Sequence, residues 1–273
     1  MSPTPGPTRI ARRFAALREE RRAGLVVYLT AGDPVPAETV DLVVEAAEAG
    51  ADVIELGVPW SDPSADGPVI QRAMERALAA GATLGRTLEW IADVRRRSEV
   101  PIVLFGYYNP LLARGVERVA REAAQAGVDG VLTVDLPLEE AEELDTPLRA
   151  QRLDRIPLLT PTTTPERAAR QAARGSGFAY YVSLTGVTGA SHLDTAEVGR
   201  RIAILRPALG TLPLAVGFGV KDAASARALA PHADAVVVGS ALVHAIAEAG
   251  DAAGRRRALR AKVNELAGAL RNP

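Results

Sequence analysis

Short apolar runs alternate with longer amphipathic segments along almost the whole chain. The intervening segments are rich in Ala, Arg and Glu, and their apolar residues recur at the spacing of one helix face. Near-continuous apolar strands separated by helices are typical of a parallel sheet that is covered on both faces. The pattern predicts eight strands, at 24–30, 51–56, 101–106, 129–134, 156–160, 177–183, 212–217 and 234–239.

Eight strand–helix units favour a closed (β/α)8 TIM barrel, an α/β fold, over an open doubly wound sheet, which usually has fewer strands at this chain length. The open sheet is the alternative. A chain of 273 residues with 48% hydrophobic content suits one large core. We therefore predict a single domain over residues 1–273, with a flexible tail at 1–7 and an extra helix at about 8–22 before the first strand.

The composition excludes several classes of partner and chemistry. The 32 basic and 33 acidic residues are interspersed, so the chain predicts no nucleic-acid or membrane surface. No stretch approaches the ~18 apolar residues of a membrane span, and no secretory signal is evident, which favours a soluble cytoplasmic protein. Cysteine is absent, and the few lysines and histidines fall where neither a Schiff base nor a metal cluster is expected.

One acidic segment stands out at 55–68, ELGVPWSDPSADGP. Glu55 lies inside an apolar strand, where burial raises the pKa of a carboxyl group and suits it to acid/base work. A glutamate satisfied by backbone donors explains that position about equally well. Asp66 precedes a predicted helix, so it is either a functional acid or an ordinary helix cap. Asp62 fits best as a turn residue.

Three glycine-containing segments suggest a phosphate site. GVTGA (186–190), VGFGV (216–220) and GSA (239–241) follow the last three predicted strands, and GSA also opens a predicted helix. Barrels often bind phosphate with the loops after the seventh and eighth strands and with a helix N-terminus, whose backbone N–H groups face the anion. Because glycine also simply makes tight turns, the signal depends on all three segments together.

The segment ELGVPWSDPSADGP resembles the signature of the tryptophan synthase alpha chain family. Further matching motifs follow the predicted strands in order: YLTAGDP, GYYNPL, DLP, SLTGVTGA, VGFGV and VGSA. The resemblance implies a lyase that cleaves indole-3-glycerol phosphate into indole and glyceraldehyde 3-phosphate by a retro-aldol reaction. It also implies that the protonated indole ring is the electron sink, so that no metal or cofactor is needed in this chain.

The resemblance also assigns roles to individual residues. Glu55 would be the general acid/base, and Asp66 would accept a hydrogen bond from the indole N–H. Residues implied to line the substrate pocket or its sixth loop are Tyr28, Phe105, Tyr107, Leu132, Tyr180 and Thr188, with Thr188 supporting the catalytic aspartate. Residues implied to bind phosphate are Gly189, Phe218, Gly219, Gly239 and Ser240.

A partner is implied as well. Members of the family dock on a beta chain that carries pyridoxal phosphate, and an alpha2-beta2 tetramer is expected. The sequence departs from the family pattern in the loop that is expected to contact the partner and in the sixth loop, which is expected to close over substrate. The departures are Trp60, Ser64, Leu184 and the segment SHLD (191–194). A stand-alone lyase that releases free indole, a mainly allosteric partner of the beta chain, and a different phosphate-binding barrel are the alternatives.

Overall fold

The computed structural model describes residues 6–182, 195–217 and 219–271. Residues 1–5 of the predicted tail lie outside this part of the chain. The described strands are β1 (Gly24–Thr30), β2 (Val53–Gly57), β3 (Ile102–Gly106), β4 (Gly130–Thr133), β5 (Asp154–Arg155), β6 (Leu158–Leu159), β7 (Ala179–Val182), β8 (Leu214–Gly217) and β9 (Ala235–Val238).

One extra helix precedes β1, and the other described helices follow the strands singly or in pairs, except that none lies between β5 and β6. They are α1 (Arg9–Glu19), α2 (Thr39–Glu48), α3 (Pro68–Ala79), α4 (Leu84–Arg95), α5 (Tyr108–Arg114), α6 (Val116–Ala126), α7 (Glu142–Ala150), α8 (Pro165–Arg174), α9 (Thr195–Leu209), α10 (Ala223–Leu229), α11 (Ser240–Ala247) and α12 (Ala252–Arg271). None of these helices is both long enough and apolar enough to cross a membrane.

The strand order confirms the barrel. All pairs among the described strands are parallel, and the order β5-β4-β3-β2-β1-β9-β8-β7-β6 runs around a ring with sequence neighbours side by side. A doubly wound sheet would reverse its strand order at a switch point instead. The alternative fold is therefore excluded.

The fifth predicted strand, 156–160, was wrong at its start and in its continuity. Pro157 has no N–H to donate to a ladder and divides the strand into β5 and β6. β5 pairs with β4, and β6 pairs with β7. Between the two pieces, the Ile156 N–H donates to the Val131 carbonyl at 3.0 Å, and the Tyr180 N–H donates to the Pro157 carbonyl at 2.8 Å. This divided strand closes the barrel.

Alternation along each strand separates the barrel interior from the layer under the helices. On β1, Val26 and Tyr28 belong to the interior cluster, whereas Leu25 and Val27 pack towards the helices. The helix α1 adds Phe14 to the same interior cluster, where its ring lies 5.4 Å from that of Phe178. α1 thus closes the N-terminal end of the barrel, and the opposite end is left for a site.

Aspartates that precede strands tie the N-terminal rim together. Asp52, Asp129 and Asp234 each accept a hydrogen bond from a backbone N–H of a neighbouring strand, at 2.7, 2.8 and 2.7 Å respectively. Arg13 of α1 donates to Asp52, and Arg9 donates to Asp129 at 3.1 Å. These contacts serve the stability of this rim.

Candidate active site

The strand β2 places Glu55 inside the barrel. Glu55 shares a face with Val53, lies opposite Tyr28 in the β1–β2 register, and is 0% exposed. Neither of its carboxylate oxygens has a hydrogen-bond partner among the described residues. Within that part of the chain, the interpretation of a glutamate satisfied by backbone donors is therefore wrong. Burial raises the pKa of Glu55 to about 8, so that the group is mostly protonated at pH 7.

Asp66 is not the cap of the helix that follows it. Gly67 is the N-cap of α3, and no side chain donates or accepts there. Instead, the Tyr107 hydroxyl donates to Oδ2 of Asp66 at 2.6 Å, and the Ala65 N–H donates to the Tyr107 oxygen at 3.0 Å. Burial raises the pKa of Asp66, and the hydrogen bond from Tyr107 opposes that rise. The loop after β2 is thus anchored at the end of β3.

Asp62, the third acid of the segment, behaves as the sequence predicts. It is exposed, Ser61 donates to its carboxylate at 2.6 Å, and the Ser64 N–H donates to its backbone carbonyl at 2.8 Å. These local contacts are those of a turn residue.

An aromatic wall lies beside Glu55. The rings of Tyr28 and Phe105 meet edge to face with centroids 5.2 Å apart, and Phe105 lies 6.5 Å from the ring of Tyr180. All three are buried in the interior cluster together with Leu132. A mostly apolar wall of aromatic rings can pack against a fused aromatic ring.

Two strand glycines give the tyrosines their room. A Cβ at Gly57 would lie 2.2 Å from the Tyr28 hydroxyl, and a Cβ at Gly217 would lie 2.2 Å from the Tyr180 hydroxyl. Any larger residue at either position would displace a tyrosine ring. The interior is therefore shaped by pairs of large and small residues from neighbouring strands.

The start of α11 and the turn after β8 lie at the ends of the neighbouring strands β9 and β8. Gly239 is the N-cap of α11 without a side-chain cap bond, and Ser240, the first helical residue, is exposed. Gly219, after β8, has a φ of +78°, in the left-handed region that favours glycine. A helix N-terminus without a side-chain cap among the described residues, next to a glycine turn, is suited to an anion. The remaining predicted site residues, Thr188, Gly189 and Phe218, lie outside the described residues.

Sequence reasoning missed two contacts at this rim. The hydrogen bond between Tyr107 and Asp66 joins residues of two different loops, and the Thr30 hydroxyl donates to the Tyr28 hydroxyl at 3.3 Å. The sequence carries a weak signal only for the second contact: Thr30 follows Tyr28 by two residues, so the two side chains share a face of β1. Tyr107 and Asp66 are 41 residues apart, and no local pattern pairs them.

The two lysines and the two described histidines lie outside the described strands. Lys221 precedes α10 and Lys262 lies on α12, while His232 precedes β9 on the N-terminal rim and His244 lies on α11. His192 is outside the described residues. In the described ranges no group of three His, Cys, Asp or Glu side chains is placed to hold a metal ion. That this chain needs no metal or cofactor stays a prediction.

Fold and site together define a class: a (β/α)8 barrel that has a buried acid, aromatic side chains and the start of a helix at its C-terminal rim. A sequence model of the family described as "Tryptophan synthase alpha chain" matches residues 14–271. The chain belongs to the tryptophan synthase alpha chain family.

Relatives and solved structures agree with this assignment. The tryptophan synthase alpha chain of Nitrosococcus oceani is 55% identical over 240 residues, 88% of each chain. That of Chromobacterium violaceum is 53% identical over 265 residues, 97% of this chain and 100% of the relative. The crystal structure of tryptophan synthase subunit alpha from Legionella pneumophila superposes with a TM-score of 0.91 at 39% identity, covering 98% of this chain and 100% of that chain.

Proposed function

We propose that this chain is a carbon–carbon lyase that cleaves indole-3-glycerol phosphate into indole and glyceraldehyde 3-phosphate. The observation that carries the proposal is Glu55, which is fully buried beside an aromatic wall with a pKa near 8 and no hydrogen-bond partner among the described residues. A group of this kind holds a proton at neutral pH and can give it to a substrate carbon.

In the proposed reaction, Glu55 gives one proton to the substrate and takes another from it, so that it ends in the protonation state in which it began. Protonated Glu55 transfers its proton to C3 of the indole ring, and the resulting positive charge is shared with the ring nitrogen. Asp66 accepts a hydrogen bond from the ring N–H and stabilises that charge. The Glu55 carboxylate then removes the proton of the hydroxyl on the adjacent chain carbon. The carbon–carbon bond breaks, its electron pair returns to the ring, an aldehyde forms, and Glu55 is again protonated.

The phosphate group would lie at the end of β9 and β8. Gly239 and Ser240 offer a helix N-terminus, and Gly219 allows the backbone to approach closely. Gly189 and Phe218 are proposed to complete this site, and Thr188 to support Asp66, by their match to the family motifs. Tyr28, Phe105, Leu132 and Tyr180 would enclose the indole ring.

A beta chain is the proposed partner. By resemblance to the family, indole would pass to a pyridoxal-phosphate beta chain in an alpha2-beta2 tetramer, and the cofactor would belong to that partner alone. Trp60 packs against the interior cluster, whereas Ser64 is exposed in the same loop. The loop that departs from the family pattern therefore connects the site with the surface.

The test is indole release from indole-3-glycerol phosphate, with and without a beta chain. Glu55→Gln should abolish release while it retains affinity for indole-3-propanol phosphate, because glutamine fills the space but transfers no proton. The wild-type rate should fall as pH rises through about 8, where Glu55 loses its proton. The exposed Glu89→Gln is a matched control that should keep the wild-type rate. Wild-type turnover in Glu55→Gln would overturn the proposal.

A further inference from the structure

The strand order places β1 between the two ends of the proposed substrate site. β1 pairs with β2, which carries Glu55, and with β9, which leads to Gly239 and the start of α11. If the proposed function holds, the ring lies beside Glu55 and the phosphate beside α11. The carbon chain that joins them must then cross the C-terminal end of β1.

Two hydroxyl side chains occupy the inner face at that end of β1. Tyr28 and Thr30 are 5% and 4% exposed, and the Thr30 hydroxyl donates to the Tyr28 hydroxyl at 3.3 Å. Thr30 lies opposite Gly57 in the β1–β2 register, and Gly57 leaves the space that the Tyr28 hydroxyl occupies. A Cβ at Gly239 would lie 3.3 Å from Cβ of Tyr28. Tyr28 thus extends from the phosphate side of the rim to the Glu55 side.

The Tyr28 hydroxyl keeps a proton to donate. Because Thr30 donates to its oxygen, its own hydrogen is directed elsewhere, and among the described residues it makes no donated hydrogen bond. Burial first, then the charges of Asp66 and Glu55, raise the pKa of Tyr28 well above its usual range, so the group stays a donor. A phenylalanine would complete the aromatic wall equally well, which leaves the hydroxyl unexplained by packing.

We infer that Tyr28 determines specificity for the hydroxylated three-carbon chain of the substrate. Its hydroxyl, oriented by Thr30, donates a hydrogen bond to a hydroxyl oxygen of the chain that links ring and phosphate. Neutral polar recognition of this kind discriminates against analogues that lack the hydroxyl group. Thr30 acts through Tyr28 and is a positioning residue.

The experiment compares indole-3-glycerol phosphate with indole-3-propanol phosphate, which has the same ring and phosphate but no chain hydroxyls. Tyr28→Phe should lower kcat/KM for the glycerol compound about tenfold, the value of one lost hydrogen bond, while affinity for the propanol compound stays within about twofold. Equal losses for both compounds would assign Tyr28 to packing alone. An unchanged kcat/KM would remove its hydroxyl from recognition.

Thr30→Val and the double variant test the positioning role. Thr30→Val should reduce kcat/KM less than Tyr28→Phe does, and the double variant should be no worse than Tyr28→Phe, because both changes act on one hydrogen bond. Additive losses would contradict the role of Thr30. Tyr181→Phe is the matched control, since Tyr181 is buried on the outer side of β7 and should leave the compound ratio unchanged.

Failure of this inference can be told apart from failure of the proposed function. Absence of wild-type indole release would overturn the proposed function alone, because the affinities of the two compounds remain measurable. In the Glu55→Gln background, which should bind without turnover, Tyr28→Phe is expected to weaken only the glycerol compound. Equal affinities before and after the change would overturn the inference.

Discussion

Glu55 lies at a position where the neighbouring strand residues are apolar. Val53 shares its face on β2, and Val103 lies opposite on β3. Its carboxyl group is 0% exposed, and its oxygens lack partners among the described residues. An isolated carboxylate in such surroundings is costly, and the chain meets that cost by keeping the group protonated. The same burial that suits Glu55 to proton transfer therefore destabilises the fold at higher pH.

Replacing this group should stabilise the protein. The pKa of Glu55 rises from 4.5 to about 8 on folding, so its cost is absent below pH 4.5 and grows until pH 8. Glu55→Gln removes the ionisation and should raise the free energy of unfolding by about 3 kcal/mol at pH 7, with little gain at pH 4.5. Urea unfolding at both pH values measures it. A gain that is equal at the two pH values would contradict the explanation.

At the scale of elements, α1 and the strand-preceding aspartates hold the N-terminal rim. Asp129 is 6% exposed and accepts from the Ile102 N–H at 2.8 Å, from Arg95 at 2.7 Å and from Arg9 at 3.1 Å. It thereby joins β3, β4, α4 and α1. The side chain of Arg95 is only 11% exposed, so the pair is largely removed from water. Buried pairs of this kind are costly to break on one side.

Asp129→Asn should lower the free energy of unfolding by about 3 kcal/mol, because an amide leaves the buried Arg95 guanidinium without its counter-charge. Chemical denaturation of the variant measures the loss. Asp93→Asn is the matched control: Asp93 pairs with Arg96, both side chains are exposed, and a change within about 0.5 kcal/mol is expected. Similar losses in the two variants would show that burial of the Asp129 cluster does not matter.

At the scale of the whole molecule, the described strands have their shortest ladders at β5 and β6, and we call this segment, residues 154–159, the seam of the barrel. β1 shares registers of five residue pairs with β2 and four with β9, whereas β5 and β6 each share two with their neighbours. Pro157 cannot donate to a ladder, so the seam cannot be strengthened at its centre. The seam lies across the ring from β1 and β2, which carry Tyr28 and Glu55.

Amide hydrogen exchange should report this difference. Backbone amides between residues 154 and 159 should exchange about tenfold or more faster than those of Val26 and Val27 on β1, because a short ladder opens locally at lower free energy. The β1 amides are the internal reference in the same experiment. Equal protection of the two segments would mean that the ring opens only as a unit.

The sequence by itself determined the layout of this protein. The apolar runs predicted β1 and β2 closely, GSA predicted the start of α11, and the cost of a charge in an apolar strand marked Glu55. These features are local, because strand and helix periods and the energy of a buried carboxylate are set within a few residues. The family motifs then supplied the chemistry as a hypothesis.

Only the tertiary structure decided which residues meet. Asp66 matched a helix cap in sequence, but its partner is Tyr107, 41 residues away. The space beneath the Tyr28 hydroxyl comes from Gly57 on the next strand, and the fifth strand is divided between two neighbours. These contacts depend on sheet order, register and closure, which place distant segments side by side and leave no trace in the local pattern.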